Sequence, residues 1–476
     1  MSKLFDSSKT KTQTTLNGAT THRSSLNKNV DLFFKIGSLR NNPDVVSEDM
    51  FWQAYDEDAE MAVRILLYSR DIRGGMGERE IFRRTFRNIA IQNPSLALRV
   101  LHKVPELGRW DDVLVAIGTP IEKEAVEFVQ QGLTDKSTAG LCAKWMPRMR
   151  GNNTEHNKEV AKTLAKGMKL SYQEYNKLVS SLSSTVEQKI SKGDFTDIDY
   201  SKIPSLAAAR YQRLFNRKDT ARYQAYKDAL VKGVEGVKVN AGAVFPYDVV
   251  KSARRGDSTV STAQWKALPD YMNGSKESVL CVVDVSGSMG VRVAGETSAM
   301  DIAVSLGLYT SERSRGIFRN KMITFSETPS FIEVSDSMTL RQKIAHVERS
   351  PWGMSTNLQS VFDMILTLAV RDNLAEEDLP TRILIVSDME FNYCCRGVTN
   401  FEAIKAKYAR AGYNMPQLVF WNVTSRQQGN IPVQVTDSGV ALVSGFSPAV
   451  LQGVLSGEMN PVSVVEKLVC VERYDF

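Results

Sequence analysis

The 476-residue sequence has few of the residues that build disulfide frameworks and zinc sites. It contains five cysteines and four histidines. The cysteines form no CxxC pair, and the adjacent Cys394 and Cys395 cannot readily bridge each other. The histidines are scattered and suggest neither a zinc cluster nor a catalytic triad. This pattern argues against a disulfide-stabilised scaffold and predicts a reducing, intracellular location, which we expect to be the cytoplasm.

Long apolar runs are also missing. No stretch approaches the roughly 18 consecutive apolar residues that a membrane span needs, so we expect no membrane association. The N-terminal stretch lacks the apolar core and the cleavage pattern of a signal peptide. It is rich in Ser, Thr, Asn and Lys instead, and we expect a flexible arm over residues 1–26.

Charge is unevenly divided along the chain. Residues 1–270 carry 42 Lys and Arg against 32 Asp and Glu, a balance of +10, whereas residues 271–476 carry 18 against 22, a balance of −4. A polyanion would therefore meet the first half of the chain. Ordinary surface charge is an equally reasonable interpretation of the same balance.

Period-two alternation is almost absent between residues 29 and 236, and apolar residues recur there at helical spacing. Short breaks rich in Gly, Pro and Asn separate the helical patterns. We therefore predict an all-helical domain over residues 27–270, built from consecutive helix pairs that could stack as an irregular solenoid. The clearest helical segments are DLFFKIGSL, DAEMAVRILLYSRDI, EREIFRRTFRNIAI, SLALRVLHKV, EAVEFVQQGL and SYQEYNKLVSSLSSTVEQKI.

The pattern changes near residue 277. SVLCVVD is a short, β-branched apolar run typical of a strand buried on both faces. Similar runs follow at KMITFS, RILIVSD and LVFWNV, and helical patterns such as SAMDIAVSLGLYTSER lie between them. Strands that alternate with helices predict a doubly wound α/β domain, which we assign to residues 271–476.

Oxygen-bearing side chains lie in three loops of this domain. Asp284 ends the first apolar run, Ser286 and Ser288 lie on the next turn, Thr356 precedes a helical pattern, and Asp388 ends a later run. In open α/β sheets, ligand sites gather at the carboxyl ends of the strands. Few carboxylates combined with hydroxyls suit Mg²⁺, although another divalent cation could take the place.

The same five residues carry a resemblance. DxSxS after the first strand, a Thr before a later helix and an Asp after the fourth strand resemble the metal-ion-dependent adhesion site of von Willebrand factor A domains. The resemblance implies that the Asp, the two Ser and the Thr surround the metal, while the later Asp often acts through water. It also implies that a carboxylate from a partner fills the sixth position.

Further strings extend a resemblance over nearly the whole chain. SRDIRGGMGERE, VPELGRWDDVL, CAKWMPR and VNAGAVFPYDVV resemble a domain-of-unknown-function family that occurs in viruses, bacteria, plants and fungi and is related to the Ro autoantigen, or TROVE, proteins. The resemblance implies HEAT-like helical repeats that can close into a ring, together with a von Willebrand A domain. It further implies an RNA-binding scaffold for small structured RNAs and single-stranded RNA ends.

Two basic clusters in the helical half are candidate RNA contacts. The first surrounds the Gly74–Gly75 break, where exposed backbone N–H groups at the start of the next helix could assist anion binding. The second is interleaved with aromatic residues that could stack on bases, although helical spacing also allows those aromatics to be core. The first cluster is Arg70, Arg73, Arg79, Arg83, Arg84 and Arg87; the second is Arg210, Arg213, Arg217, Lys218 and Arg222, with Tyr211, Phe215, Tyr223 and Tyr226.

These observations leave three functional hypotheses. The leading one is a non-enzymatic RNA-binding scaffold with Mg²⁺ in its α/β domain. The second is a protein–protein adaptor whose partner supplies an Asp or Glu to the metal. The third is a metal-dependent nuclease. Trp110, Asp111 and Asp112 could form a second metal site, but a buried Trp beside a helix-capping Asp is the favoured interpretation.

Overall fold

The computed structural model describes residues 12–39, 47–149, 154–183, 185–255, 258–324, 329–350, 357–392, 399–424, 430–455 and 459–476. The chain divides into two compact units. The α/β unit comprises the described parts of Met1–Ile65 and Ala241–Val471. The helical unit comprises those of Leu66–Asn240 and Glu472–Phe476. The predicted combination of a helix-rich region and an α/β sheet is confirmed at this level.

The helical unit has no strand among its described residues. Its helices begin where the sequence supplies caps: Ser171 accepts the Glu174 N–H, and Thr185 accepts the Gln188 N–H. Because Thr185 starts a new helix, the single helix expected over SYQEYNKLVSSLSSTVEQKI is two helices. The helices of this unit are Glu80–Gln92, Pro94–Leu101, Lys103–Leu107, Trp110–Val113, Glu122–Thr134, Ala139–Trp145, Glu155–Gly167, Tyr172–Leu182, Val186–Lys192, Ser205–Lys218 and Thr220–Lys232, and Ala59–Arg70 spans the division.

The α/β unit is built on a mixed six-stranded sheet with the strand order β10-β9-β8-β3-β6-β7. The edge strand β7 is antiparallel to β6, and the other neighbours are parallel. The strands of the chain are β1 (Thr12–Thr14), β2 (Thr20–His22), β3 (Val279–Val283), β4 (Arg292–Ala294), β5 (Thr297–Ser298), β6 (Lys321–Thr324), β7 (Phe331–Glu333), β8 (Arg382–Ser387), β9 (Gln417–Asn422) and β10 (Val440–Ser444).

The order of strands in the sheet reverses between β3 and β8. The chain moves from β3 outward through β6 to β7, then returns to β8 on the other side of β3 and continues through β9 to β10. In such doubly wound sheets the crevice at the reversal point is the usual ligand site. All residues of β3 and β8 are buried, as expected for central parallel strands covered on both faces.

Helices cover this sheet. Ala299–Arg313, which packs on β3, buries most of its length, including Ile302, Leu306 and Tyr309. The helices of the α/β unit are Lys28–Ile36, Ser47–Glu57, Pro246–Arg254, Thr259–Ala267, Ala299–Arg313, Leu340–Arg349, Leu358–Arg371, Asn400–Ala411, Leu451–Val454 and Pro461–Val469. In the described parts of the chain, no helix is long and apolar enough to cross a membrane.

Two of the expected boundaries differ from the structure. Residues 12–26 are not a flexible arm, because β1 pairs with β2 and the segment bonds to the loops that follow β8 and β9. The division at residue 270 is also displaced, because the helices Pro246–Arg254 and Thr259–Ala267 pack on the α/β unit. Arg254, for example, forms ion pairs with Asp301 and Glu348 at 2.7 and 2.5 Å. Residues 1–11 lie outside the described residues.

Candidate functional site

Two of the predicted oxygen ligands, Asp284 and Asp388, lie at the reversal point of the sheet. Asp284 follows β3, and Asp388 follows β8, the adjacent parallel strand. The Asp284 N–H donates to the Val386 carbonyl at 2.9 Å, so the ends of the two strands are joined directly. Ser286 and Ser288 lie on the turn behind Asp284, which continues into the short 3₁₀ helix Gly287–Gly290.

Hydrogen bonds hold the candidate metal-ligand side chains in place. Asp284 Oδ1 accepts the Ser286 N–H at 2.9 Å, and Asp284 Oδ2 accepts the Ser387 hydroxyl at 2.6 Å. The Ser286 and Ser288 hydroxyl oxygens lie 2.9 Å apart. Asp388 Oδ1 accepts the Glu390 N–H at 3.1 Å. Both carboxylates are thus fixed by hydrogen bonds at the ends of the two adjacent strands.

The electrostatics of this site favour a cation. The Asp284 carboxylate is completely buried and Asp388 is 2% exposed. Burial raises the pKa of Asp284 above its ordinary value, and the negative charge of Asp388 raises it further. Two neighbouring buried carboxylates destabilise each other unless one is protonated or a positive charge lies beside them. A hard divalent cation would supply that charge, and the all-oxygen donor set matches its preference.

Two further observations define the limits of this set. Thr356 lies outside the described residues. Within the described ranges no group of three or more His, Cys, Asp or Glu side chains could hold a metal, so the proposed set depends on serine hydroxyls.

Met389, next to Asp388, has a φ of +63° although it is buried, a left-handed conformation that is costly for a side chain of this kind. Backbone strain of this type clusters at functional sites.

The N-terminal hairpin covers neighbouring strand ends, which the sequence did not suggest. Thr15 Oγ1 donates to the Phe391 carbonyl at 2.7 Å. The Leu16 N–H donates to the Glu390 carboxylate, and the Asn17 amide donates to the Glu390 carbonyl, both at 2.7 Å. The loop that begins with Asp388 is therefore clamped from outside the sheet. The only sequence signal was the threonine-rich run around the hairpin, which reads equally well as a flexible arm.

Arg70 was predicted as an RNA contact, and this prediction is wrong. Its side chain is 2% exposed and pairs with the completely buried Asp112, with N–O distances of 2.8 and 2.6 Å. Arg83 is also engaged, because it pairs with Asp111 and Asp112 at 2.6 Å. Arg70 therefore neutralises a buried carboxylate in the helical core and is not presented to a polyanion, whereas Arg83 is 20% exposed and already paired.

The Gly74–Gly75 break is followed by a turn whose N–H groups bond within the chain. The N–H groups of Met76, Gly77 and Glu78 donate to backbone carbonyls at 3.1, 3.0 and 2.7 Å. Gly75 packs so closely that a Cβ there would lie 2.0 Å from the Tyr68 carbonyl oxygen. The glycines serve this tight turn. The other members of the cluster, Arg73, Arg79, Arg84 and Arg87, are exposed, with Arg79 paired to Glu80 and Arg87 bonded to the Val115 and Ile117 carbonyls.

Most aromatics of the second cluster form a core. Phe215 is completely buried and Tyr223 is 2% exposed, and both pack against Tyr200, with ring centroids 5.2 and 4.9 Å away. Tyr226 lies 5.5 Å from the same ring and donates its hydroxyl proton to the Lys238 carbonyl. Phe215 and Tyr223 therefore cannot stack on bases. Tyr200, the centre of the cluster, was missed because it precedes the arginine-rich segment.

The basic residues of the second cluster behave differently. Arg210, Arg213, Arg217 and Lys218 are exposed on the helix Ser205–Lys218. Arg222 is exposed but bonds to the Phe195 and Ile198 carbonyls and to Asp219, at 2.5, 2.9 and 3.0 Å. The cluster is thus a basic helical face above an aromatic core.

The Trp110 segment is a helix start. Trp110 is 7% exposed and stacks on Phe128 with ring centroids 5.3 Å apart. Asp112 accepts the Arg109 N–H at 2.9 Å, as a capping carboxylate does at the third position of a helix. The interpretation as a buried Trp beside a capping Asp is confirmed.

Comparison with known proteins gives matches to two family models and similarity to proteins that include a viral relative and a solved structure. Residues 15–109 and 152–278 match a domain of unknown function, DUF2828, and residues 278–470 match another, DUF7788. An uncharacterised protein of Acanthamoeba polyphaga mimivirus, L728, is 29% identical, with 95% of this chain and 86% of that protein covered. The crystal structure of the Deinococcus radiodurans Ro (RSR) protein is 14% identical with a TM-score of 0.37, covering 91% of this chain and 92% of that one. The predicted similarity to a family of unknown function with a viral member is confirmed.

Proposed function

We propose that this protein is a non-enzymatic RNA-binding scaffold of Ro type whose α/β unit holds a divalent cation. The observation that carries the RNA part is the exposed row Arg210, Arg213 and Arg217 on the helix Ser205–Lys218, which contains no acidic residue. Their spacing of three and four positions puts them on one face of that helix. Such a row suits a chain of phosphates.

Charge over the whole helical unit supports the same proposal. Leu66–Asn240 with Glu472–Phe476 contain 31 Lys and Arg against 22 Asp and Glu, whereas the rest of the chain contains 29 against 32. The basic excess therefore belongs to the helical unit as the structure defines it. Arginine contacts to phosphates supply affinity that weakens as salt rises, because bound counterions are released on association.

A binding experiment tests this proposal. Fluorescence anisotropy of a labelled stem-loop RNA with a single-stranded tail should show saturable binding by the full chain, and replacing Arg210, Arg213 and Arg217 by Ala should weaken it. Lys123→Ala is the control, because Lys123 is 83% exposed but lies on another helix and is 3.9 Å from Glu127. Absence of binding by the unmodified protein would refute the proposal.

The cation part rests on the buried pair Asp284 and Asp388. With Ser286 and Ser288 they offer four side chains that carry hard oxygens, and the resemblance adds Thr356. Mg²⁺ is the cation we propose, because it binds through one or two carboxylates and retains water. Calorimetric titration of chelator-treated protein with Mg²⁺ should show one site that Asp284→Ala abolishes. A titration without heat of binding for the unmodified protein would refute this part.

The finer fold assignments belong to the same proposal. The strand order, the antiparallel edge strand β7 and the DxSxS turn after the first strand of the sheet support a von Willebrand A domain. The consecutive helices of the other unit support HEAT-like repeats of the kind that can close into a ring.

We place the protein in the cytoplasm on its cysteine usage. As a scaffold it should leave labelled RNA intact during incubation with Mg²⁺.

A protein adaptor is the second candidate, and one observation favours it. Gly287 is exposed and Ser288 is half-buried, so the donor turn reaches the surface, where a partner's carboxylate could complete the cation's coordination. Asp284→Ala separates the two functions. An adaptor should lose its partner, whereas the RNA-binding row on the other unit should keep its affinity.

A further inference from the structure

Ser387 joins the two strands that carry the candidate metal ligands. It is the last residue of β8, is completely buried, and donates its hydroxyl proton to Asp284 Oδ2 at 2.6 Å. The same hydroxyl oxygen accepts the Met389 N–H at 3.0 Å. Because the oxygen accepts from one side, its proton is directed to the Asp284 carboxylate on the other.

Asp284 is therefore held from two directions. The Ser286 N–H fixes Oδ1 from the turn that follows β3, and the Ser387 hydroxyl fixes Oδ2 from the neighbouring strand. Each of the two carboxylate oxygens is thus anchored by one of these bonds. Rotation of the carboxylate would break one of the two bonds. The plane of the carboxylate is thus set before a cation binds.

We propose that Ser387 is a positioning residue for the cation, one that orients Asp284 without belonging to the DxSxS pattern. This inference rests on the proposed cation site. Residues that orient metal ligands typically change metal affinity about 10- to 100-fold when removed, because the ligand must then be ordered at the expense of binding. Removing the Ser387 hydroxyl should therefore weaken cation binding by about 10- to 100-fold.

Ser444 offers a matched control. It is the last residue of β10 and 2% exposed, and its hydroxyl likewise donates and accepts: it donates to the Phe33 carbonyl at 2.7 Å and accepts the Gly37 N–H at 3.1 Å. Ser444→Ala therefore removes the same kind of buried bond pair from the end of another strand. It should reduce stability without changing cation affinity.

The experiment measures Mn²⁺ binding to the full, chelator-treated chain by electron paramagnetic resonance and by the cation-induced rise in Tm. We expect Ser387→Ala to weaken binding about 10- to 100-fold, Ser387→Thr to restore most of the affinity, and Ser444→Ala to bind like the unmodified protein. Tm values measured in chelator show whether each variant is folded. Asp284→Asn provides the baseline without a site.

Each other result overturns a specific claim. If Ser387→Ala binds as tightly as the unmodified protein, or if Ser444→Ala weakens binding equally, Ser387 has no positioning role although the cation site stands. If Ser387→Thr is folded in chelator but binds Mn²⁺ no better than Ser387→Ala, the Ser387 hydroxyl is not the group that strengthens cation binding. If the unmodified protein binds Mn²⁺ no better than Asp284→Asn, the cation site and this inference both fail.

Discussion

Arg473 donates two hydrogen bonds to Asp71, a residue 402 positions earlier in the chain. The distance is 2.5 Å from Nε to Oδ2 and 2.9 Å from Nη2 to Oδ1. Tyr474 donates its hydroxyl proton to the same carboxylate at 3.0 Å and packs edge-on against Tyr68. Asp71 is completely buried, and all four residues belong to the helical unit. Tyr474 therefore belongs to the core of that unit and, with Arg473, anchors the segment Glu472–Phe476 to it.

This relationship predicts a pH dependence. Burial alone would raise the pKa of Asp71, but the Arg473 side chain and the Arg73 and Gly74 N–H groups lower it by more, so the net pKa lies below its ordinary 3.8. A carboxyl whose pKa is lowered on folding stabilises the fold above pH 3.8, and this stabilisation is lost as the pH falls through 3.8 towards the pKa in the folded protein.

Asp71→Asn should therefore lower the stability of the helical unit by about 2–4 kcal/mol at neutral pH and flatten its acid-induced loss. Thermal unfolding followed from pH 7 to pH 3 measures both effects. The control is Asp197→Asn, which removes an exposed carboxylate of the same unit and should change stability by less than about 0.5 kcal/mol. An unchanged pH profile in Asp71→Asn would show that the Arg473 contact does not stabilise the unit.

Gly132 lies where a larger side chain would not fit. A Cβ at this position, inside the helix Glu122–Thr134, would lie 2.2 Å from the Trp110 ring. Gly132→Ala should destabilise the helical unit by about 1–3 kcal/mol despite the better helix propensity of Ala. Gly140, in the helix Ala139–Trp145, has only the Leu182 carbonyl at 3.7 Å, so Gly140→Ala should be neutral or stabilising. Urea unfolding of the pair tests the contrast, and equal effects would contradict it.

The N-terminal hairpin should detach when its side-chain bonds are removed. The double variant Thr15→Ala and Asn17→Ala loses the bonds to the Phe391 and Glu390 carbonyls, each worth about 1 kcal/mol. Hydrogen exchange of residues 12–22 should then accelerate. Leu16→Ala is the control, because that side chain is 68% exposed and its N–H bond is kept. Equal exchange in all variants would mean that the hairpin is held by other contacts.

The sequence predicted the sheet better than its edges. SVLCVVD, KMITFS, RILIVSD and LVFWNV correspond to β3, β6, β8 and β9, because buried parallel strands are uniformly apolar. The edge strand β7 was not predicted from the sequence, because it has only three residues, two of them exposed. The hairpin escaped because its threonines form hydrogen bonds to distant loops, and composition does not reveal those partners.

The positions of the site residues were also easier to predict than their contacts. Asp284 and Asp388 could be placed because they end apolar runs that become neighbouring strands. Ser387 could not, because its bond to Asp284 depends on the register of two strands that are about 100 residues apart. Arg70 and Arg210 look alike in sequence. Only the approach of Asp112, 42 positions from Arg70, buries the first and leaves the second exposed.

The salt dependence of RNA affinity tests the central claim most directly. The logarithm of the association constant for the labelled stem-loop RNA should fall linearly with the logarithm of salt between about 50 and 200 mM. Because each phosphate contact contributes about 0.7–0.9 to that slope, replacing Arg210, Arg213 and Arg217 by Ala should weaken binding and make the slope shallower by about 2–3. An unmodified protein that does not bind the RNA, or a triple variant with the original affinity and slope, would contradict the account.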